Sequence, residues 1–340
     1  MKKIARNQLP GLLEKIASIA PLFAPVRENG STRFAQVTDG NAVDLTTLKT
    51  SRPPKDLFFP QCETLYTTSL QDGRLTLEGA KLEEQDFVVF GIRPCDAAAL
   101  EVLDRVFLTQ PVDTYYAARR SHGCLISLAC NEPDSSCFCA SFGIDPAQGG
   151  GDVRSWLTRE NVCFEAVTEK GEKLLAQLDL AEGGEAEAEE TKASIHTLYD
   201  RLPQGRMDLK NWEETTLLDR FNAPQWEELS KMCLGCGSCT FVCPTCQCYD
   251  IKDYRTASGV QRYRCWDSCM YSDFTMMAHG NNRTTQMQRY RQRFMHKLVY
   301  YPTNNEGIYS CVGCGRCVEK CPQGLHIRKV LDKFAKEGTK

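Results

Sequence analysis

Residues 233–244 read Cys233-Leu234-Gly235-Cys236-Gly237-Ser238-Cys239-Thr240-Phe241-Val242-Cys243-Pro244. Residues 311–322 repeat the pattern as Cys311-Val312-Gly313-Cys314-Gly315-Arg316-Cys317-Val318-Glu319-Lys320-Cys321-Pro322. Each stretch is C-x2-C-x2-C-x3-C-P. Sulfurs with two residues between them wrap one side of a tight turn, and the glycines let the backbone pass close to an inorganic core. Proline after the fourth cysteine turns the chain away. Thiolates are soft anionic ligands, and a cubane of iron and sulfide needs four of them. Where two such motifs occur together, the fourth cysteine crosses to the other cluster. The expected sets are Cys233, Cys236 and Cys239 with Cys321, and Cys311, Cys314 and Cys317 with Cys243. Paired zinc knuckles also use C-x2-C, but they draw two ligands from each knuckle, not three and a fourth before proline.

About 67 residues separate the motifs, far more than a compact bacterial ferredoxin carries. The spacer is helical in character and resembles the α-helical ferredoxin arrangement of larger oxidoreductases. Residues 213–340 are therefore expected to form an α-helical dicluster ferredoxin domain. That segment holds 12 of the 19 cysteines. Cys246 and Cys248 follow the first motif, and Cys265 and Cys269 stand in Cys-Trp-Asp-Ser-Cys; these four are candidates for a further, fourth metal centre or for packed thiols. Arg283, Arg289, Arg291, Arg293 and Lys297 alternate with Tyr290, Phe294 and His296. Nucleic acid could be gripped by such a mixture, but alternate arginines do not stay on one helical face. Offsetting the negative charge of reduced clusters, or docking a partner, is the better reading.

Upstream, the pattern changes. Phe87–Ile92 is a short apolar run suited to a strand buried on both faces. Asp96 is expected to cap a helix from Ala97 to Phe107, with a second helix near Thr114–Arg120 and a second buried strand at Leu125–Ala129. Strand, helix, strand in this order predicts a right-handed β-α-β unit with parallel strands. Two weaker strands are expected around Trp156 and Val162–Val167. Residues 1–180 thus form an α/β domain. Cys95 and Cys130 each follow a strand and fall at the carboxyl edge of the sheet, where open α/β sheets bind ligands. Cys137 and Cys139 can fold back to them, which makes a third cluster from Cys95, Cys130, Cys137 and Cys139. The helix start should favour the Cys95 thiolate. Cys62, Cys124 and Cys163 are expected to be core residues. Between the domains, residues 181–212 read as an acidic linker, with Glu185-Ala186-Glu187-Ala188-Glu189-Glu190 showing no apolar face.

A length of 340 residues suits two domains. With 41 Lys+Arg against 44 Asp+Glu, the chain has no general attraction for nucleic acid or acidic lipid. An odd cysteine count clustered as C-x-x-C argues against a disulfide scaffold and for a reducing cytoplasm. Pro10, Gly11, Glu14 and Lys15 interrupt any signal-peptide core, so Leu9, Leu12, Leu13, Ile16 and Ile19 read as an amphipathic helix. No apolar run is long enough to span a membrane. There is no G-x-G-x-x-G after a strand, no Walker A lysine and no Ser/His/Asp arrangement.

With these residues in place, the chain resembles a family of 4Fe-4S dicluster proteins: the iron–sulfur subunits of anaerobic sulfite reductase and the β subunits of archaeal cytoplasmic sulfhydrogenase. The resemblance is carried by Arg93-Pro94-Cys95-Asp96, Cys137-Phe138-Cys139, Cys243-Pro244-Thr245-Cys246-Gln247-Cys248, Trp266-Asp267-Ser268-Cys269 and the second ferredoxin motif. It implies an electron carrier within an anaerobe's cytoplasmic complex, with no catalytic residues of its own. The implied partners are a catalytic subunit plus an FAD- and NAD(P)H-binding subunit of the reductase type. The catalytic one is of the sulfite reductase type or, alternatively, belongs to a soluble hydrogenase or flavin-based bifurcating assembly.

Overall fold

The computed structural model describes residues 1–337 apart from 72, 204, 211, 213–215 and 258. Residue 213, where the sequence reading starts the second domain, and residues 338–340 lie outside the described residues. The N-terminal half is a three-layer α/β unit. Its sheet takes β1 (Lys2–Ala5), β2 (Leu22–Glu28), β3 (Ser31–Val37), β6 (Phe87–Ile92), β7 (Gly123–Leu128), β8 (Val153–Leu157), β9 (Asn161–Ala166) and β10 (Ala181–Glu182). The order is β10-β1-β9-β8-β7-β6-β2-β3. The four central strands β2, β6, β7 and β8 run parallel, and both flanks are antiparallel.

Burial on both faces explains the unbroken apolar runs. Val88 and Phe90 face α1 (Leu9–Ile19) and α4 (Glu169–Leu175), packing with Leu13, Ile16 and Leu174. Val89 and Leu125 face the other side, against Leu100, Leu103 and Phe107 of α2 (Pro94–Phe107) and Tyr116 of α3 (Thr114–His122). Asp96 does not cap α2. The helix starts at Pro94, whose fixed φ suits the first turn, and the N-cap residue is Arg93. The Asp96 carboxylate is instead engaged by Arg316, far along the chain.

The acidic stretch also differs from its expected form. α5 (Glu185–Asp200) buries Ala188, Ile195 and Tyr199, and Ala188 and Ile195 pack on Trp156 and Cys163 of β8 and β9. Its apolar residues are too widely spaced among glutamates to register as a face in a short window.

The C-terminal region is not purely helical. β11 (Tyr249–Thr256) and β12 (Gly259–Trp266) form a hairpin that pairs with β4 (Cys62–Gln71) and β5 (Arg74–Gly79) in an antiparallel sheet ordered β11-β12-β4-β5. Strands from both halves of the chain thus share one sheet. The strand sequence Tyr-Asp-Ile-Lys-Asp-Tyr-Arg-Thr hides its alternation because both faces are largely exposed and charged pairs such as Asp253–Arg262 support it. Helices Gln225–Ser230, Gln286–Met295 and Ile327–Glu337 close around Trp226, Tyr290, Phe294 and Phe334. Trp226 stacks on Phe294 with ring centroids 6.4 Å apart.

Candidate iron–sulfur centres

β6 and β7 run in parallel register, Val89 opposite Leu125, so both deliver their carboxyl ends to one edge. Cys95 stands in the first turn of α2 directly beyond β6, and Cys130 lies two residues beyond β7. The loop after Cys130 folds back. Cys137 and Cys139 pack in one cluster with Cys95, Tyr199 and Cys314, and Cys130 interacts electrostatically with Cys139 and Cys137. The Tyr199 hydroxyl, delivered by α5, shares a 3.3 Å hydrogen bond with Cys139 Sγ. Arg93 braces the edge by donating to the carbonyls of Leu48 (2.8 Å), Ala129 (3.0 Å) and Thr47 (3.2 Å).

The helix start does not favour the Cys95 thiolate. Burial pushes this thiol well above its ordinary value, and the Asp96 carboxylate and the Cys314 thiol add to the effect. Burial likewise raises Cys130 to about 12 and Cys137 to about 11. Loss of hydration outweighs the dipole of one helical turn.

Cys233, Cys236, Cys239 and Cys321 line a single opening with Leu234, Met270, Tyr290 and Leu325. The Leu325 N–H donates to Cys321 Sγ at 3.2 Å, and Gln286 Nε2 donates to Cys233 Sγ at 3.5 Å. Cys236 is exposed; its thiol donates to the Ser238 hydroxyl at 3.5 Å, and its interactions with the Ser238 side chain and backbone hold it below its ordinary value. The second group lies deeper. Cys311 faces Lys297, Cys317 and Cys243, while Cys314 faces Arg316, Asp96, Cys243 and Cys317.

The three groups lie in series: Cys239 and Cys317 interact electrostatically, and Cys314 packs in one cluster with Cys95 and Cys139. The loop at Gly313 meets the Cys137–Cys139 loop backbone to backbone: the Phe138 N–H donates to the Gly313 carbonyl at 3.0 Å. Gly313 has φ +58°, and a Cβ there would sit 2.4 Å from the Phe138 carbonyl oxygen. Only glycine permits that approach.

The electrostatics fit anionic clusters. Arg293 is 2% exposed; its Nη2 donates to the Cys239 carbonyl at 3.1 Å, while Nε and Nη1 meet no hydrogen-bond partner. Burial opposes its charge, yet Cys239 and Cys317 hold its pKa up. Lys297 donates to Thr245 Oγ1 (2.7 Å) and the Ser310 carbonyl (2.8 Å), and its charge is upheld against burial by Cys243, Cys246 and Cys311. A buried cation without a counterion costs several kcal/mol. Anionic cluster sulfurs held there would supply that counterion. A single zinc would need sulfurs about 3.8 Å apart, from its ~2.3 Å bonds, and among the described residues no three His, Cys, Asp or Glu side chains are disposed to hold one ion.

Several contributors have no local sequence signal. Arg316 donates to Asp96 Oδ1 at 2.5 Å and Oδ2 at 2.6 Å, pinning the second motif to the start of α2. Lys49 pairs with Asp134 at 2.7 Å and with Glu319, beside Cys137. Lys55 reaches the Cys243–Cys246 turn from residue positions nearly 190 away. Sequence spacing cannot reveal such contacts, although the arginine inside Cys-Gly-Arg-Cys was a visible oddity. Cys62 is not a core residue: it is exposed on β4, directly opposite Cys265 of β12. Cys124 and Cys163 are buried.

Comparison with known proteins agrees with this chemistry. Residues 232–325 match the 4Fe-4S dicluster domain family. The chain is 32% identical to sulfhydrogenase 2 subunit beta of Pyrococcus furiosus, an alignment covering 97% of each protein. It belongs to the sulfhydrogenase β-subunit family. Membership makes it an iron–sulfur protein of the 4Fe-4S electron-transfer type. No solved structure matches the chain. Among the described residues, no helix is long and apolar enough to cross a membrane.

Proposed function

We propose that this chain relays single electrons inside a cytoplasmic, hydrogenase-type oxidoreductase complex, between a partner that handles FAD and NAD(P)H and another that carries out catalysis. In this reading three [4Fe–4S] clusters are held by Cys95, Cys130, Cys137 and Cys139; by Cys311, Cys314, Cys317 and Cys243; and by Cys233, Cys236, Cys239 and Cys321. The observation that carries it is the succession of cysteines from Cys139, packed with Cys314, through Cys317 to Cys239, each interacting electrostatically with the next, ending at the exposed Cys236. Clusters bound there would supply one-electron carriers.

The protein's own residues hold and tune them. Arg293 and Lys297 offset cluster charge, the Leu325 and Gln286 N–H groups bond to ligand sulfurs, and the Arg316–Asp96 pair keeps the second and N-terminal groups in contact. Backbone and side-chain donors to sulfur raise cluster potentials. The printed name of the Pyrococcus relative favours a hydrogenase-type catalytic partner over a sulfite reductase. The test is to isolate the native complex anaerobically and add NAD(P)H. Cluster reduction in the complex, absent in this chain alone, is expected, together with a hydrogenase-type chain among the co-purifying subunits. Reduction of the isolated chain by NAD(P)H, or its purification without partners, would overturn the proposal.

A further inference from the structure

Three cysteines outside the two motifs and the N-terminal set also converge. β11 begins at Tyr249 and β12 ends at Trp266, and these residues face each other in the ladder. The chain entering the hairpin therefore runs beside the chain leaving it, and the Asp267 N–H donates to the Cys248 carbonyl at 2.9 Å. Cys248 and Cys269 line one cavity and interact most strongly with each other; Cys246, whose first partner is Cys243, adds its charge to both. Cys265 does not join them. Neighbouring residues of a strand point to opposite faces; Trp266 packs inward under Lys55, while Cys265 pairs with the exposed Cys62.

Charge supplies the second observation. Lys55 is 2% exposed and donates to the carbonyls of Cys246 (2.8 Å) and Cys243 (3.1 Å), with its ammonium 3.7 Å from the Trp266 ring centroid. Among the described residues no carboxylate forms an ion pair with it. Arg293 faces first the thiols of the two ferredoxin groups, and Lys297 faces Cys243, Cys246 and Cys311. Lys55 comes from the other half of the chain and faces Cys246 before Cys243. Burial lowers its pKa to about 8 while Cys246 and Cys243 oppose that lowering, so anionic sulfur at Cys246 as well as at Cys243 would hold its charge.

We propose that Cys246, Cys248 and Cys269 hold an additional iron–sulfur cluster, a cubane with three cysteine ligands. Cys248 and Cys269 share a cavity of about 340 Å³ with Phe274, Arg283, Gln292 and His296, which brings no fourth cysteine. A cubane suits this set better than a single ion. Each thiolate binds a different iron, so the sulfurs need not meet around one centre, and no three of them do.

The inference rests on reading the two motifs as iron–sulfur sites, and the experiment separates the two claims. Full-length protein is prepared anaerobically with iron and sulfide, and iron, sulfide and zinc are counted beside the electron paramagnetic resonance spectrum of the reduced state. Cys269→Ser and Cys246→Ser should each lose about four irons per chain while the signals of the two motif clusters persist; Cys265→Ser should lose none. In intact wild-type protein, Cys246, Cys248 and Cys269 should resist iodoacetamide until iron is chelated, a readout that does not depend on the variants folding. Wild-type protein that keeps its motif clusters while these three thiols label freely would overturn the proposal alone, as would stoichiometric zinc bound there. Wild-type protein lacking iron altogether would overturn the ferredoxin reading itself.

Discussion

The Arg316–Asp96 pair offers a quantitative test of how the two halves of the chain are joined. Both side chains are essentially buried, and the contact is bidentate, at 2.5 and 2.6 Å. Arg316 also donates through Nε to the Thr50 carbonyl at 2.9 Å and through Nη2 to Thr50 Oγ1 at 3.2 Å. Asp96→Ala removes the only carboxylate ion-paired to this guanidinium among the described residues, leaving a buried cation to the Thr50 oxygens and neighbouring sulfurs. Breaking a buried pair in this way costs about 3–5 kcal/mol, because the surviving charge stays desolvated. Arg316→Met should cost a similar amount by stranding Asp96. The double variant has no charge left to strand, so its loss should fall short of the sum by about 2–3 kcal/mol, the upper range for residues in contact. Anaerobic urea unfolding of the four iron-loaded proteins, followed by tryptophan fluorescence, gives the coupling. Losses that add within ~0.5 kcal/mol would refute the reasoning.

Gly313→Ala should place its Cβ 2.4 Å from the Phe138 carbonyl at φ +58°; we expect about 1–3 kcal/mol of backbone strain plus that clash, and a measurable drop in iron per chain, whereas Gly143→Ala, with a similar φ of +73° but open space around it, carries the strain without the clash and should keep full iron. Crossover ligation predicts that Cys321→Ser removes the cluster of the first motif and Cys243→Ser that of the second; a Cys321→Ser spectrum missing only the second-motif signal would reverse the assignment. Burial, helped by the Asp152 carboxylate, raises the Cys124 thiol to about 12. A raised thiol contributes stability that is complete below its unfolded value near ~8.5 and is lost as pH climbs toward the folded one, so Cys124 should stay unlabelled by iodoacetamide at pH 8 while the exposed Cys62 reacts, as read by mass spectrometry.

Much of this architecture was legible because it is local. Phe87–Ile92, the helix after it and the strand ending at Leu128 carry their own patterns, and parallel pairing brings Cys95 and Cys130 to one edge. The eight motif cysteines announce themselves by spacing. What escaped was long-range. β11 and β12 lack an apolar face to betray them, and their pairing with β4 depends on a register between residues some two hundred positions apart. The same sheet exposed Cys62 and separated Cys265 from Cys269, which sequence proximity had grouped. Asp96 read as a cap because it stands near a helix start; Arg316, unseen from there, claims its carboxylate.

The central claim is that the clusters lie close enough to pass electrons among themselves, and magnetic resonance of the fully reduced, full-length chain addresses it most directly. Cysteines of adjacent groups interact, Cys239 with Cys317 electrostatically and Cys314 by packing with Cys95. Reduced clusters so placed should interact, giving broadened, split signals that simplify to isolated ones when Cys314→Ser removes the central cluster. A reduced spectrum that is a plain sum of non-interacting clusters, unchanged by Cys314→Ser, would contradict the account.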